Sequence, residues 1–157
     1  LAERLVIRQN RRYQTEFLIP DPENPKSDEF QPIAHLHALT PYGMLLASVG
    51  GCTAVLLNSY AENHHVPLEE VEVRLEYRRD FNEDCENCER IERYEERIEE
   101  EILLFGDLDQ GQRQKLFAIS HQCSIHKILE SGIEIHPELV ELGSPQPAGQ
   151  KRAGGSS

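Results

Sequence analysis

Residues 41–54 read Pro41-Tyr42-Gly43-Met44-Leu45-Leu46-Ala47-Ser48-Val49-Gly50-Gly51-Cys52-Thr53-Ala54. Taken with the residues that follow, Met44, Leu45, Leu46, Ala47, Val49, Ala54, Val55, Leu56, Leu57, Tyr60 and Ala61 cover every side of a helical wheel. A helix that is apolar all round belongs in a core. Thr40 is a suitable N-cap and Pro41 a suitable first helical residue. The helix is expected to stop near His64-His65, ahead of Pro67. Gly50 and Gly51 each cost about 1 kcal/mol relative to Ala inside a helix. Two in a row need a reason, such as close approach of another backbone, or of a ligand to the Cys52 thiol.

Working outward from this helix, residues 3–9 and 13–19 are short runs of β-formers split by Gln9-Asn10-Arg11-Arg12, which reads as a hairpin. Residues 20–31 carry three prolines and read as a loop, and His35 and His37 flank Leu36 in a short extended piece. Residues 70–78 alternate cleanly, with Val71, Val73, Leu75 and Tyr77 on one face and Glu72, Arg74, Glu76 and Arg78 on the other, so they form a half-buried strand. Residues 82–90 form a polar loop. Over 91–104, Ile91, Tyr94, Ile98 and Ile102 fit helical spacing, while Tyr94, Ile98, Ile102 and Leu104 also fit one strand face. Periodicity alone leans to helix there. Asp109 caps a helix reaching about His121, a second short helix runs from Ser124 to Glu130 and stops at Gly132, and Ile133 with Ile135 suggests a last strand. The chain is read as one domain over residues 1–142 and a disordered, low-complexity tail over 143–157.

The chain has 157 residues, 38% of them hydrophobic, and 28 acidic against 16 basic residues for a net charge of -12. That balance argues against a nucleic-acid partner, which needs clustered Lys and Arg, and against an anionic membrane surface. No run of about eighteen apolar residues occurs, so no membrane span is expected. With no charged-then-apolar leader, a cytoplasmic location is the expectation. Four cysteines are too few for a disulfide scaffold at this length, so they read as catalytic or metal-binding.

Two of those cysteines lie on helices. Cys52 is either a small buried hydrophobe in a tightly packed helix or a thiol approached through the glycines, and residue chemistry alone leaves both readings level. Cys123 directly precedes the second short helix. It is either a buried joint residue or a thiol whose ionised form is favoured by the helix N-terminus. Two thiols on packed helices can do redox work, one attacking a peroxide and the other closing a disulfide.

The segment Pro41 to Ala54 resembles the first cysteine helix of the OsmC/Ohr family, in which Thr-Pro and two variable residues precede Leu-Leu-Leu-Ala and Gly-Gly-Cys-Thr. Gly106-Asp107-Leu108 through Gln112-Arg113 to Cys123-Ser124-Ile125-His126-Lys127 is similar to that family's second signature, which ends in Cys-Pro-Val-His. The likeness spans about residues 36–135. It implies an α+β fold in which two central helices pack against antiparallel sheets in an intertwined homodimer, with residues 94–104 a strand. It implies Cys52 as the peroxidatic thiol and Cys123 as the resolving one, organic hydroperoxides as substrates, and a dithiol reductant such as a lipoyl protein. No cofactor is required. The family places a Glu just after the Pro that opens the cysteine helix, where it orients an arginine beside the thiolate. Here Tyr42 and Gly43 follow Pro41, and neither offers a carboxylate. The arginine comes from the first hairpin, where Arg11 or Arg12 is the nearest match. The Pro after the second cysteine is Ser124. The alternative function is therefore a non-catalytic protein of the same fold that binds a small apolar ligand, or a metal.

Cys85-Glu86-Asn87-Cys88 lies outside both signatures. One such pair supplies two ligands where structural zinc takes four, so a second subunit's pair, or His64 and His65, would have to complete a zinc site. Free thiols or a local disulfide are the simpler reading. His35 and His37 share a spacing that metal ligands use but read as surface residues. His126, three after Cys123, either polarises that thiol or packs. The run Glu95-Glu96 and Glu99-Glu100-Glu101 reads as a solvated face, not as catalytic carboxylates.

Overall fold

The computed structural model describes residues 2–81 and 94–140. The hairpin read from the first residues is present as β1 (Ala2–Asn10) and β2 (Thr15–Pro20). Its turn is organised by Asn10, whose Oδ1 accepts the backbone N–H of Arg12 and of Gln14, and by Tyr13 at φ 61°. After β3 (Phe30–Pro32) come α1 (Pro41–Asn63), β4 (Leu68–Phe81), β5 (Tyr94–Gly106), α2 (Gln110–Ser120) and α3 (Ser124–Ser131). The strands form one antiparallel sheet in the order β3-β2-β1-β4-β5. This is an α+β architecture with one long helix among the described residues. Thr40 caps that helix through Gly43, and Pro41 opens it, as expected.

α1 lies across β1 and β4, where Leu5 pairs with Leu75 and Ile7 with Val73. Leu5, Ile7, Val71 and Val73 meet Leu46, Val49 and Leu57 in the core, and Leu116 joins them from α2. The contact is close because of Gly50: a Cβ there would stand 2.5 Å from Leu75 Cδ1 and 2.7 Å from Ile7 Cδ1. Gly51 has nothing within 4 Å of the same position. So the expectation that both glycines answer a close approach holds for the first and not for the second within this chain. On the far face of the sheet Glu72, only 5% exposed, accepts from Arg8 at 2.8 Å and Arg74 at 2.7 Å.

Three expectations are corrected. Residues 94–106 are a strand, as the family likeness implied and the helical lean did not. Ile98 and Ile102 are four apart, a spacing that serves both periods, and pairing with β4 along its length decides between them. Leu36–Ala38 is a 3-10 turn instead of an extended piece, with His35 and His37 stacked at 5.2 Å. Ile133 and Ile135 are not in a strand; they are 69% and 82% exposed, and no described strand of this chain pairs with them. By length and composition alone, the 23-residue α1 is long and apolar enough to cross a membrane, and 44% of its most apolar window is buried in the fold.

Candidate active site

α2 begins at a capping box, with Asp109 accepting from the Gln112 backbone at 2.8 Å and the Gln112 side chain accepting from Asp109 N–H at 3.0 Å. This start is fixed by Gly106, whose φ of 136° turns the chain out of β5 at a place where a Cβ would meet Pro67 O. α2 then ends at Ser120, and Cys123 becomes the N-cap residue of α3. Both short helices pack on α1. That packing brings Cys123 to Cys52 across 71 residues of sequence (123 − 52).

The two thiols are free and close enough to share a hydrogen bond. Cys123 is 1% exposed, whereas Cys52 is half-buried. Their acidities diverge. Burial opposes ionisation of Cys52, but the Cys123 side chain, the backbone N–H groups of Ile125 and Ser124, and the Ser124 hydroxyl outweigh it, so this thiol lies below its ordinary value. Burial pushes Cys123 up, and the neighbouring Cys52 pushes it further. A thiolate on Cys52 beside a protonated Cys123 is the charge state this arrangement favours. The Ser124 hydroxyl lies 3.8 Å from Cys52 Sγ.

A carboxylate that sequence reasoning assigned to solvent is part of this region. Glu100 accepts from Thr53 Oγ1 at 2.9 Å and pairs with His126 Nε2 at 3.0 Å, and the Glu100 and His126 side chains are only 15% and 19% exposed. The signal was available in the strand reading: along the inner face of β5, Ile98, Ile102 and Leu104 alternate with Glu96 and Glu100. A carboxylate interrupting an apolar face at period two points inward. Glu100 and His126 also line a cavity of about 610 Å³ whose apolar walls include Leu45, Val49, Ile98, Ile102 and Phe117; Cys52 is outside its lining.

The other candidates lie apart. Arg11 and Arg12 sit at the β1–β2 turn beside Gln14 and Glu69, and Tyr13 ties that turn to Glu62 at the far end of α1 with a 2.8 Å hydrogen bond. The structure does not bring either arginine to Cys52 within the chain. Tyr42 does engage an arginine, though from β4: Arg79 donates to its hydroxyl at 2.9 Å and pairs with Glu96 at 2.6 Å. Ten residues of helix, about 15 Å, separate Tyr42 from Cys52. Cys85 and Cys88 fall outside the described residues, as does the tail from 143. Among the described residues no group of three or more metal-binding side chains comes together.

Residues 34–138 match the family described as OsmC-like protein. The fold is similar to the crystal structure of an OsmC-like hydroperoxide resistance protein from Jannaschia sp. CCS1, with a TM-score of 0.54 and 15% identity over 89% of this chain and 94% of that one. No curated protein matches the chain.

Proposed function

The chain belongs to the OsmC-like family, and on that premise we propose that it is a thiol-dependent peroxidase acting on organic hydroperoxides. The observation that carries this reading is the unequal pair of neighbouring thiols, one half-buried with its thiolate favoured and one buried with its thiolate disfavoured. Cys52 thiolate attacks the peroxide O–O bond. The distal oxygen goes to sulfur as a sulfenic acid, and the other oxygen leaves as an alcohol after taking a proton. Cys123 then attacks the sulfenic sulfur, expels water and leaves a Cys52–Cys123 disulfide. A dithiol such as a lipoyl group returns both thiols by exchange and is itself oxidised to a disulfide.

The test is consumption of cumene hydroperoxide with dihydrolipoamide as reductant. Multiple turnovers that vanish in Cys52→Ser support the proposal, and no consumption above the uncatalysed rate refutes it. A second reading has its own observation. Neither Arg11 nor Arg12 reaches Cys52 in the chain, and a cavity of mixed apolar and polar lining includes Glu100 and His126. A small-ligand-binding protein without turnover fits those facts, and saturable binding of an apolar ligand without peroxide consumption would favour it.

The proposed working form is a homodimer. One side of α1 leaves Met44 and Val55 each 47% exposed, and Ile133, Ile135, Leu139 and Val140 are at least 69% exposed. A second copy is the cover expected for them, over an obligate interface of roughly 2,000 Å² or more. The scheme uses no metal. Zinc at Cys85 and Cys88 is a separate question, checked by elemental analysis of protein purified without chelator.

A further inference from the structure

We infer that the Ser124 hydroxyl joins Cys123 in stabilising the reactive form of Cys52, and that the Glu100–His126 pair is the clamp that seats it. The inference rests on Cys52 being the reactive thiol. In the family pattern a proline follows the second cysteine, and the thiolate's partner is an arginine oriented by a glutamate at the helix start. This chain has changed both. Its proline position carries a hydroxyl, 3.8 Å from Cys52 Sγ and within hydrogen-bond range for sulfur. Its glutamate position carries Tyr42, which holds Arg79 at the other end of α1. The polar groups set against Cys52 are those of Cys123, Ser124 and Ile125 at the start of α3.

Ser124 is the first residue of α3, so its hydroxyl is only as well placed as that helix. α3 is short, and its N-cap residue Cys123 makes no side-chain cap hydrogen bond. Glu100 supplies the missing fixture. One carboxylate oxygen takes the Thr53 hydroxyl of α1 and the other takes His126 of α3, so a single side chain of β5 ties the two helices together. Thr53 adjoins Cys52 and His126 lies two residues beyond Ser124, so the clamp closes directly behind the contact between sulfur and hydroxyl. Ser124 touches the reacting atom and acts as a donor to it. Glu100 acts through Thr53 and His126 and is a positioning residue. The titratable groups nearest Cys52 by these contacts are Cys123 and His126 of α3 and Glu100 of β5.

Removing the Ser124 hydroxyl takes away one hydrogen bond to an ionised group. At 3.8 Å the bond is long and weak, so its removal is expected to change the thiolate fraction at neutral pH by roughly three- to tenfold, the range of an ordinary net hydrogen bond. The experiment is site-resolved alkylation of the full chain by iodoacetamide as a function of pH, with Cys52 and Cys123 peptides quantified by mass spectrometry. Ser124→Ala is expected to move the Cys52 profile to higher pH and slow its neutral-pH alkylation by roughly three- to tenfold, with the unfolding midpoint unchanged. Ser124→Thr, which keeps a hydroxyl, should restore the profile. Ser124→Pro, accepted at the first helical position, removes the backbone N–H of residue 124 together with the hydroxyl and should move the profile at least as far as Ala does. Glu100→Ala should move the profile in the same direction, and Glu100→Ala combined with Ser124→Ala no further than Ser124→Ala alone. A Ser124→Ala profile that superimposes on the wild type, or a double variant whose effects simply add, overturns the inference. The readout is independent of peroxide. Should the wild type fail to consume hydroperoxide while the Ser124→Ala shift is seen, the peroxidase proposal falls and the Ser124 assignment stands.

Discussion

The two sides of α1 are built from similar residues and do different things. The side facing the sheet carries Leu46, Val49, Gly50, Ala54 and Leu57, all nearly sealed from solvent, with Gly50 letting the helix approach until Leu75 and Ile7 leave no room for a Cβ. The other side carries Met44, Gly51 and Val55, open or half-exposed, and Cys52 sits at the margin under α3. One glycine of the pair is thus demanded by packing inside the chain, and its neighbour meets nothing there. An apolar residue on a helix surface tells only that something covers it. Whether that cover is the chain's own sheet or another molecule is decided by tertiary geometry.

The largest effect is expected at the margin, where chemistry and packing meet. Cys52→Ser should abolish hydroperoxide consumption while leaving the unfolding transition near that of the wild type. Cys123→Ser should allow one turnover and leave a sulfenic acid that dimedone labels at Cys52. Labelling elsewhere would reverse the assignment of roles.

On the sheet side the cost falls on stability. Leu57→Ala should lower the free energy of unfolding by about 2–5 kcal/mol, the range for deleting a fully buried leucine. Denaturant unfolding followed by circular dichroism measures it. The corresponding change on the open side, Val55→Asp, should leave the fold intact and convert the proposed dimer to monomer. Light scattering reads this directly, and a wild type that is monomeric at micromolar concentration removes the dimer from the comparison.

A pH series separates the thiols. Cys52 is held below its ordinary value, so its alkylation should rise at lower pH than that of a free cysteine. Cys123 is held above its ordinary value, so its alkylation should rise only at higher pH. Equal profiles for the two peptides would erase the asymmetry on which the division of labour rests. The smallest effect belongs to the glycines. Gly50→Ala must displace Leu75 or Ile7 and should destabilise by about 1–3 kcal/mol. Gly51→Ala, made in the Val55→Asp monomer, should gain about 0.5–1 kcal/mol from helix propensity alone. A loss at Gly51 in the wild-type background together with a gain in the monomer would locate the partner's closest approach.

Much of the frame was legible because it depends on neighbours in the chain. Thr40 and Pro41 mark the start of α1, Asp109 that of α2, Gly132 the end of α3, and the alternation over Val71 to Tyr77 marks β4. Each signal is a matter of caps, turns or period within a few residues, and backbone chemistry at that range carries its own answer. The likeness to two cysteine signatures added the pairing of Cys52 with Cys123 as an expectation, and the strand over 94–104.

What remained open depended on partners far along the chain. Ile98 and Ile102 satisfy a helix and a strand equally, and only the hydrogen bonds to β4 select the strand. Ile133 and Ile135 have the composition of a strand but find no edge in their own chain to pair with. Arg11 and Arg12 look like the arginine of the family site, yet the turn that carries them lies by Glu62, at the C-terminal end of α1. Glu100 is one acidic residue in a run of them until Thr53, 47 residues earlier (100 − 53), and His126, 26 residues later (126 − 100), meet its two oxygens. Composition and period determine which elements form, because those are local free energies. Which side chains face one another is settled by how the elements pack, because a hydrogen bond between distant residues exists only once the fold has placed both ends.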